Sequence, residues 1–210
     1  MISFSDQNER LAEDPRLEVA AVCRRIIEEL VSSAASPAAF AEAGGLLNRA
    51  ADILAAGAHE AHPDDPNSYF YFDRSPALGM LNPVAPPMRI IVDGLSVSAA
   101  VTYGPAHEGA PGLVHGGMLA AAFDELIGLP TGLAGFLSMT ARLTVRYRSP
   151  TPVGVPLVYK ASLDRINGRK LTTSGELRVV ADGRLCAEAE GLFVTVGAGM
   201  FERKTDGEGS

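Results

Sequence analysis

The chain contains no tryptophan, only two cysteines and four histidines, and aromatic side chains make up just 6% of its 210 residues. Two thiols as far apart as Cys23 and Cys186 build no disulfide framework and lack metal-ligand spacing, which makes a reducing cytoplasm the expected compartment. No run approaches the roughly 18 apolar, uncharged residues of a membrane span. The opening Met1-Ile2-Ser3-Phe4-Ser5-Asp6 has neither the basic nor the apolar region of a signal peptide. A surplus of cations is also missing: 18 Lys+Arg stand against 25 Asp+Glu, a formal net charge of −7. Nucleic acid is therefore not an expected partner, because phosphate binding needs a cationic surface. Most locally, residues 90–141 hold no lysine or arginine at all, yet carry Asp93, Glu108, Asp124 and Glu125.

What is present fits a globular domain. Hydrophobic residues amount to 47% and charged residues to 20%, close to the average for a folded domain, and the length suits one domain plus an extension. The charge is unevenly placed: residues 1–68 carry five Lys+Arg and twelve Asp+Glu, whereas the remainder is balanced. Val19, Val22, Cys23, Ile26, Ile27 and Leu30 follow helical periodicity, with Arg24/Glu28 and Arg25/Glu29 as i,i+4 pairs on the outer face. Ser36 as N-cap and Pro37 at the first helical position start a second helix striped by Ala43, Leu46, Leu47, Ala50 and Leu54. Gly57–Ser68 reads as a polar linker; its His59 and His62, at i,i+3, are too few for a metal centre, and no metal site is expected. The expected organisation is an acidic α-helical extension and linker over 1–68, a main domain over 69–200, and a flexible tail over 201–210.

After the linker the period changes from helix to strand. Met88–Val92 and Leu95–Tyr103 read as strands joined around Asp93-Gly94. Met118–Leu129 is an Ala/Leu-rich helix ended by Pro130. Phe136–Arg148, Val155–Ile166, Lys170–Val180 and Leu185–Val196 read as a four-stranded antiparallel meander, with turns at Asn167-Gly168 and Asp182-Gly183. A helix apolar on nearly every side must be buried. The expected fold is therefore α+β, a curved antiparallel sheet wrapped around one long helix.

Gly112-Leu113-Val114-His115-Gly116-Gly117-Met118 falls at the start of that helix. Free N–H groups and the positive end of the dipole meet glycines there, an arrangement that polarises a carbonyl oxygen or merely lets the helix pack closely on the sheet. Asp124 follows Gly117 by two helical turns, about 10 Å along the axis, on the same face. Its helical neighbours Ala120, Ala121 and Gly128 offer no cation, so it either meets an external partner, serves as a base, or lies on a solvated stripe. Glu125 points about 100° away around the helix.

These residues resemble a known family. His115-Gly116-Gly117 with Asp124-Glu125 and upstream Gly112, followed by the strand Met139–Pro150 with Tyr147-x-x-Pro150, looks like the hotdog-fold acyl-CoA thioesterases of the phenylacetate-degradation/THEM type, in the 4-hydroxybenzoyl-CoA thioesterase-related superfamily. The resemblance covers roughly residues 75–197. It implies hydrolysis of an acyl-CoA thioester, with Asp124 as base or nucleophile and the Gly117 N–H receiving the thioester carbonyl. It further implies His115 beside the thioester, Thr140 reaching the site from a neighbouring subunit, and two sites per homodimer, with a dimer of dimers as the larger option. No cofactor is implied, coenzyme A arriving as part of the substrate.

By strand alternation Thr140, Arg142, Thr144, Arg146 and Arg148 share one face, with Arg165, Arg169 and Lys170 on the next hairpin. That face is a candidate for holding the coenzyme A phosphates, or is simply solvated. Gly116 and Glu125 join the candidate substrate contacts, and His107 and Glu108 are candidates for its entrance or for loop structure. Two other functions compete: a hotdog dehydratase or hydratase, and a non-catalytic acyl-CoA- or partner-binding protein. The extension, acidic and amphipathic, is expected to dock away from the arginine face and to stabilise the assembly.

Overall fold

The computed structural model describes residues 11–57 and 72–197. The linker with His59 and His62, the proposed boundary at residue 68 and the tail over 201–210 lie outside the described residues. Among the described residues, the helices with complete bounds that precede the sheet are α1 (Pro15–Ser32) and α2 (Pro37–Ala55). Asp14 caps α1 and Ser36 caps α2, the latter accepting from the Ala39 N–H, with proline in the first turn of each. α1 docks on the chain that follows it, whereas α2 buries none of its residues and leaves Phe40, Leu46, Leu47, Ile53 and Leu54 exposed.

The i,i+4 partner expected for Arg24 is not the one it takes. Its guanidinium donates to the carbonyls of Gly79, Met80, Asn82 and Ala85 instead. Glu28 lies against Gly104, where a Cβ would collide with its Oε1. A half-buried cation gains more from carbonyls fixed in place than from a mobile carboxylate in water.

Six antiparallel strands follow: β1 (Arg89–Asp93), β2 (Ser96–Val101), β3 (Ser138–Tyr147), β4 (Leu157–Asn167), β5 (Lys170–Val179) and β6 (Leu185–Thr195). Between β2 and β3 runs α3 (Gly116–Leu133). The sheet order is β1-β2-β4-β5-β6-β3, so the expected four-strand meander is corrected to three strands, β4-β5-β6. β3 pairs with β6 at the far edge. The nine residues 148–156 between β3 and β4 contain three prolines and a positive-φ glycine, Gly154, and form no tight hairpin.

Two hairpins turn one residue later than expected. Asp93 pairs with Ser96 and Asn167 with Lys170, so the loops are Gly94-Leu95 and Gly168-Arg169. Glycine takes the first central position, with φ of +59° at Gly94 and +57° at Gly168, where a Cβ-bearing residue is strained. Pro130 does not end α3 either. Within the last turn it forfeits one backbone bond, the Thr131 hydroxyl donates to the Gly128 carbonyl at 2.8 Å, and the chain leaves the helix at Gly135, φ +85°.

α3 lies across the inner face of the sheet, with Leu119, Ala122, Phe123, Leu126 and Ile127 buried. Its seat is cut by two strand glycines: a Cβ at Gly175 would stand 2.8 Å from Ile127 Cγ2, and one at Gly191 would stand 2.7 Å from Ile127 Cδ1. Glycine in a strand interior marks such a close approach. Phe123 meets Tyr159 edge to face at 5.0 Å, and the Tyr159 and Tyr103 hydroxyls bond to each other at 2.8 Å in the core. Burial raises both phenols above their ordinary range. This is the expected sheet wrapped around one helix. No helix among the described residues is long and apolar enough to cross a membrane.

Candidate active site

The loop ahead of α3 is rigidly tied. Gly112 adopts φ +74°, and its N–H donates to Glu108 Oε1 at 2.7 Å. Gly109 N–H donates to Leu113 O, Val114 N–H to Thr151 O and His115 N–H to His107 O, each at 2.9 Å. His107 Nε2 stands 3.3 Å from Val84 O, and its ring meets Tyr103 edge on at 5.5 Å. Of the roles considered for His107 and Glu108, the structure supplies loop contacts for both.

His115 is the N-cap of α3, and its Nδ1 accepts from the Gly117 N–H at 3.0 Å. The imidazole is therefore neutral at Nδ1 with its proton on Nε2. The donor expected to receive a carbonyl oxygen is thus already engaged, by a side chain that is exposed. At the next residue, Tyr147 Oη donates to Gly116 O at 2.7 Å, which ties the end of β3 to the helix start.

Gly117 and Ala121 are exposed and Asp124 is half-buried, so an open stripe of small residues runs from the helix N-terminus down to this carboxylate. The stripe leaves α3 less enclosed within one chain than its apolar sequence implies. Asp124 Oδ1 is itself buried and has no hydrogen-bond partner. Such atoms are few in folded proteins, because desolvation without a partner is costly. Glu125 turns elsewhere: Ser75 donates its hydroxyl to Glu125 Oε2. Burial pushes the Glu125 carboxyl up, the Ser75 bond opposes this, and the neighbouring Asp124 adds to the rise.

Alternation along β3 is broken. Thr140 pairs with Phe193 but Arg142 pairs with Leu192, leaving Ala141 as the extra residue of a β-bulge. Phe193 packs toward α3, since a Cβ at Gly128 would lie 3.3 Å from its ring. Thr140 therefore stands on the helix side of the sheet, as does Ser138, whose hydroxyl is 2.7 Å from Thr131 Oγ1. The expectation that Thr140 shares a face with the arginines is corrected by this bulge.

Arg142, Arg146 and Arg148 remain on the outer face. Arg146 pairs with Glu190 at 2.8 Å and lies 3.9 Å from Glu188, and Arg148 pairs with Glu188. The Glu190 bond raises the Arg146 pKa, and the same contact lowers that of Glu190. A groove of about 660 Å³ crosses this face, lined by Asp93, Glu176, Glu188 and Glu190 as well as Arg146 and Lys160. Arg169 is turned to the Thr195 carbonyl at 3.0 Å. Sequence reasoning missed Ser75 and the carbonyls that hold Arg24; neither carries a spacing signal.

The model of the thioesterase superfamily matches residues 111–187. Acyl-coenzyme A thioesterase THEM4 of Bos taurus is 41% identical over 91 residues, 43% of this chain and 37% of that protein. The Xenopus laevis protein of that name is 38% identical over 43% of this chain and 41% of its own length. The chain thus spans less than half of these curated relatives. A thioesterase superfamily protein of known crystal structure is 31% identical, with a TM-score of 0.78, over 87% of this chain and 96% of its own. Residues 72–197 are under two thirds of the chain, so that likeness takes in the N-terminal extension.

Proposed function

This chain belongs to the thioesterase superfamily, and from that premise we propose that it hydrolyses an acyl-CoA thioester to a free acid and coenzyme A. The observation that carries the reading is Asp124, a half-buried carboxylate at the end of an open stripe that begins at the Gly117 N–H, with its buried Oδ1 left without a partner. A thioester needs little help with its leaving group, so an oxyanion donor and a carboxylate suffice.

The substrate carbonyl oxygen takes the place of His115 Nδ1 on the Gly117 N–H, where the helix dipole adds to the stabilisation. The displaced imidazole stays beside the thioester and orients it. Asp124 as general base removes a proton from water as the water oxygen attacks the carbonyl carbon. Collapse of the oxyanion breaks the C–S bond, and the proton passes to the departing thiolate. With Asp124 as nucleophile, an anhydride forms first and water then cleaves it; both routes share one balance of atoms. No cofactor is called for.

Thr140 is proposed to serve the site of a neighbouring subunit in a homodimer or dimer of dimers. Its place on the helix side of edge strand β3 supports that reading. The ion pairs of Arg146 and Arg148 are exposed and screened by water, so coenzyme A phosphates displace the glutamates at little cost. Cytoplasm is the proposed compartment, in keeping with free Cys23 and Cys186. Turnover of a panel of short, long and aromatic acyl-CoAs, read with a thiol reagent, tests the proposal. Thiol release is expected; binding without release means a non-catalytic acyl-CoA protein.

A further inference from the structure

The segment 72–86 forms a strap between α1 and α3. On one side Arg24 holds it, Nε donating to Ala85 O at 2.9 Å and Nη2 to Asn82 O at 3.1 Å, with Gly79 and Met80 carbonyls also engaged. The strap itself has no slack. A Cβ on Gly79 would lie 2.5 Å from Asp73 O and 2.6 Å from Ser75 N. Ser75 Oγ accepts from Ala77 N–H at 3.1 Å and Leu78 N–H at 3.0 Å, and donates to Glu125. At its far end Val84 O meets His107 Nε2, and the His107 carbonyl holds the N–H of the capping His115. The strap therefore reaches both ends of the open stripe: the residue beside Asp124, and the residue covering Gly117.

We propose that Ser75 and Glu125 are positioning residues for Asp124, and that Arg24 on the N-terminal helix sets them, so that the extension completes the active site. The inference rests on the hydrolytic reading of Asp124. Asp124 Oδ1 has no partner to aim it, so its direction follows the helix backbone, and the Ser75–Glu125 bond tethers that backbone one residue on. A misplacement of about 1 Å in such a group costs on the order of a hundredfold in rate. The tether also sets the charge beside Asp124. The groups acting on the Glu125 carboxyl are Asp124 from α3 and, from the strap, the Ser75 hydroxyl and the Ala77 backbone; burial disfavours its charge and the Ser75 bond restores part of it.

The test uses the full chain with Arg24→Gln, Ser75→Ala and Ser75→Thr. Arg24→Gln and Ser75→Ala are expected to lower kcat about ten- to hundredfold, with KM for acyl-CoA within about a factor of two. Ser75→Thr keeps the hydroxyl and retains wild-type turnover. In parallel, the Glu125 carboxyl is titrated by carbon-13 NMR, a readout independent of activity. Loss of its donor moves its midpoint to higher pH in Ser75→Ala and equally in Arg24→Gln, while Ser75→Thr leaves it in place. Should Arg24→Gln fail to fold, Arg24→Lys takes its place and is expected to move the midpoint in the same direction. A midpoint unmoved in the Arg24 and Ser75→Ala variants, with only the melting temperature lowered, overturns the proposal. A wild type that releases no thiol defeats the hydrolytic reading, and the titration alone then decides whether Arg24 governs Glu125.

Discussion

Replacing His115 by alanine removes the side-chain acceptor of the Gly117 N–H, a bond of 3.0 Å at the N-cap of an 18-residue helix. Two effects of opposite sign follow. Loss of an N-cap costs about 1 kcal/mol of stability, which lowers the melting temperature by roughly 2–4 °C in a protein of this size. At the same time the N–H becomes free, so an incoming carbonyl oxygen no longer has to break a hydrogen bond worth about 0.5–1.5 kcal/mol net. That range corresponds to roughly two- to twelvefold in affinity. The assay is calorimetric binding of a non-hydrolysable ketone analogue of an acyl-CoA, whose carbonyl oxygen replaces that of the thioester. His115→Ala is expected to bind the ketone two- to tenfold more tightly while melting a few degrees lower. A control thioether without the carbonyl should bind both forms alike. If the alanine variant binds the ketone tenfold more weakly, the orienting contact of His115 with the substrate outweighs its competition for the Gly117 N–H, and the competition does not govern binding.

Gly191→Ala places a Cβ 2.7 Å from Ile127 Cδ1 and 2.6 Å from the Phe193 ring; overpacking of this kind costs about 1–3 kcal/mol, and chemical denaturation should show it as a lower midpoint at unchanged slope. Mixing inactive Asp124→Asn with impaired Thr140→Ala should restore part of the activity through mixed dimers with one intact site, whereas no recovery after verified subunit exchange would place both residues of a site in one chain. Glu125 has a pKa raised on folding. The folded state therefore binds more protons than the unfolded state above the ordinary glutamate range, and stability falls as pH rises through that window. Melting curves of Glu125→Gln should be flatter than wild type over this interval, and parallel curves would contradict the assignment.

Local features were legible in the sequence wherever neighbouring residues decide them. The cap at Ser36, the helix start at Pro37, and the strands from Lys170 and Leu185 follow from spacing and side-chain chemistry within a few residues. What escaped was decided at long range. The place of β3 beside β6 depends on where a proline-rich connection lands, not on the pattern within the strand. The bulge at Ala141 reverses the side on which Thr140 stands, yet one extra residue in a strand leaves the hydrophobic pattern almost unchanged. Pro130 remains helical because the stop is supplied downstream by Gly135. Arg24 and Ser75 have partners 50 or more residues away, several of them backbone carbonyls, which no residue spacing encodes. Asp124 was legible as a site residue because an uncharged, alanine-rich helix makes a carboxylate conspicuous; that its Oδ1 is buried and unpartnered is a property of the packed chain alone.

The central claim is that Asp124 performs the chemistry, and steady-state hydrolysis of the best acyl-CoA by Asp124→Asn tests it most directly. The substitution is nearly isosteric and removes no hydrogen bond from Oδ1, so the melting temperature and assembly should stay close to wild type. On this account kcat falls by about 10²–10⁴-fold, the usual contribution of a general base. Turnover within a few-fold of wild type, in a variant shown to be folded, would contradict it.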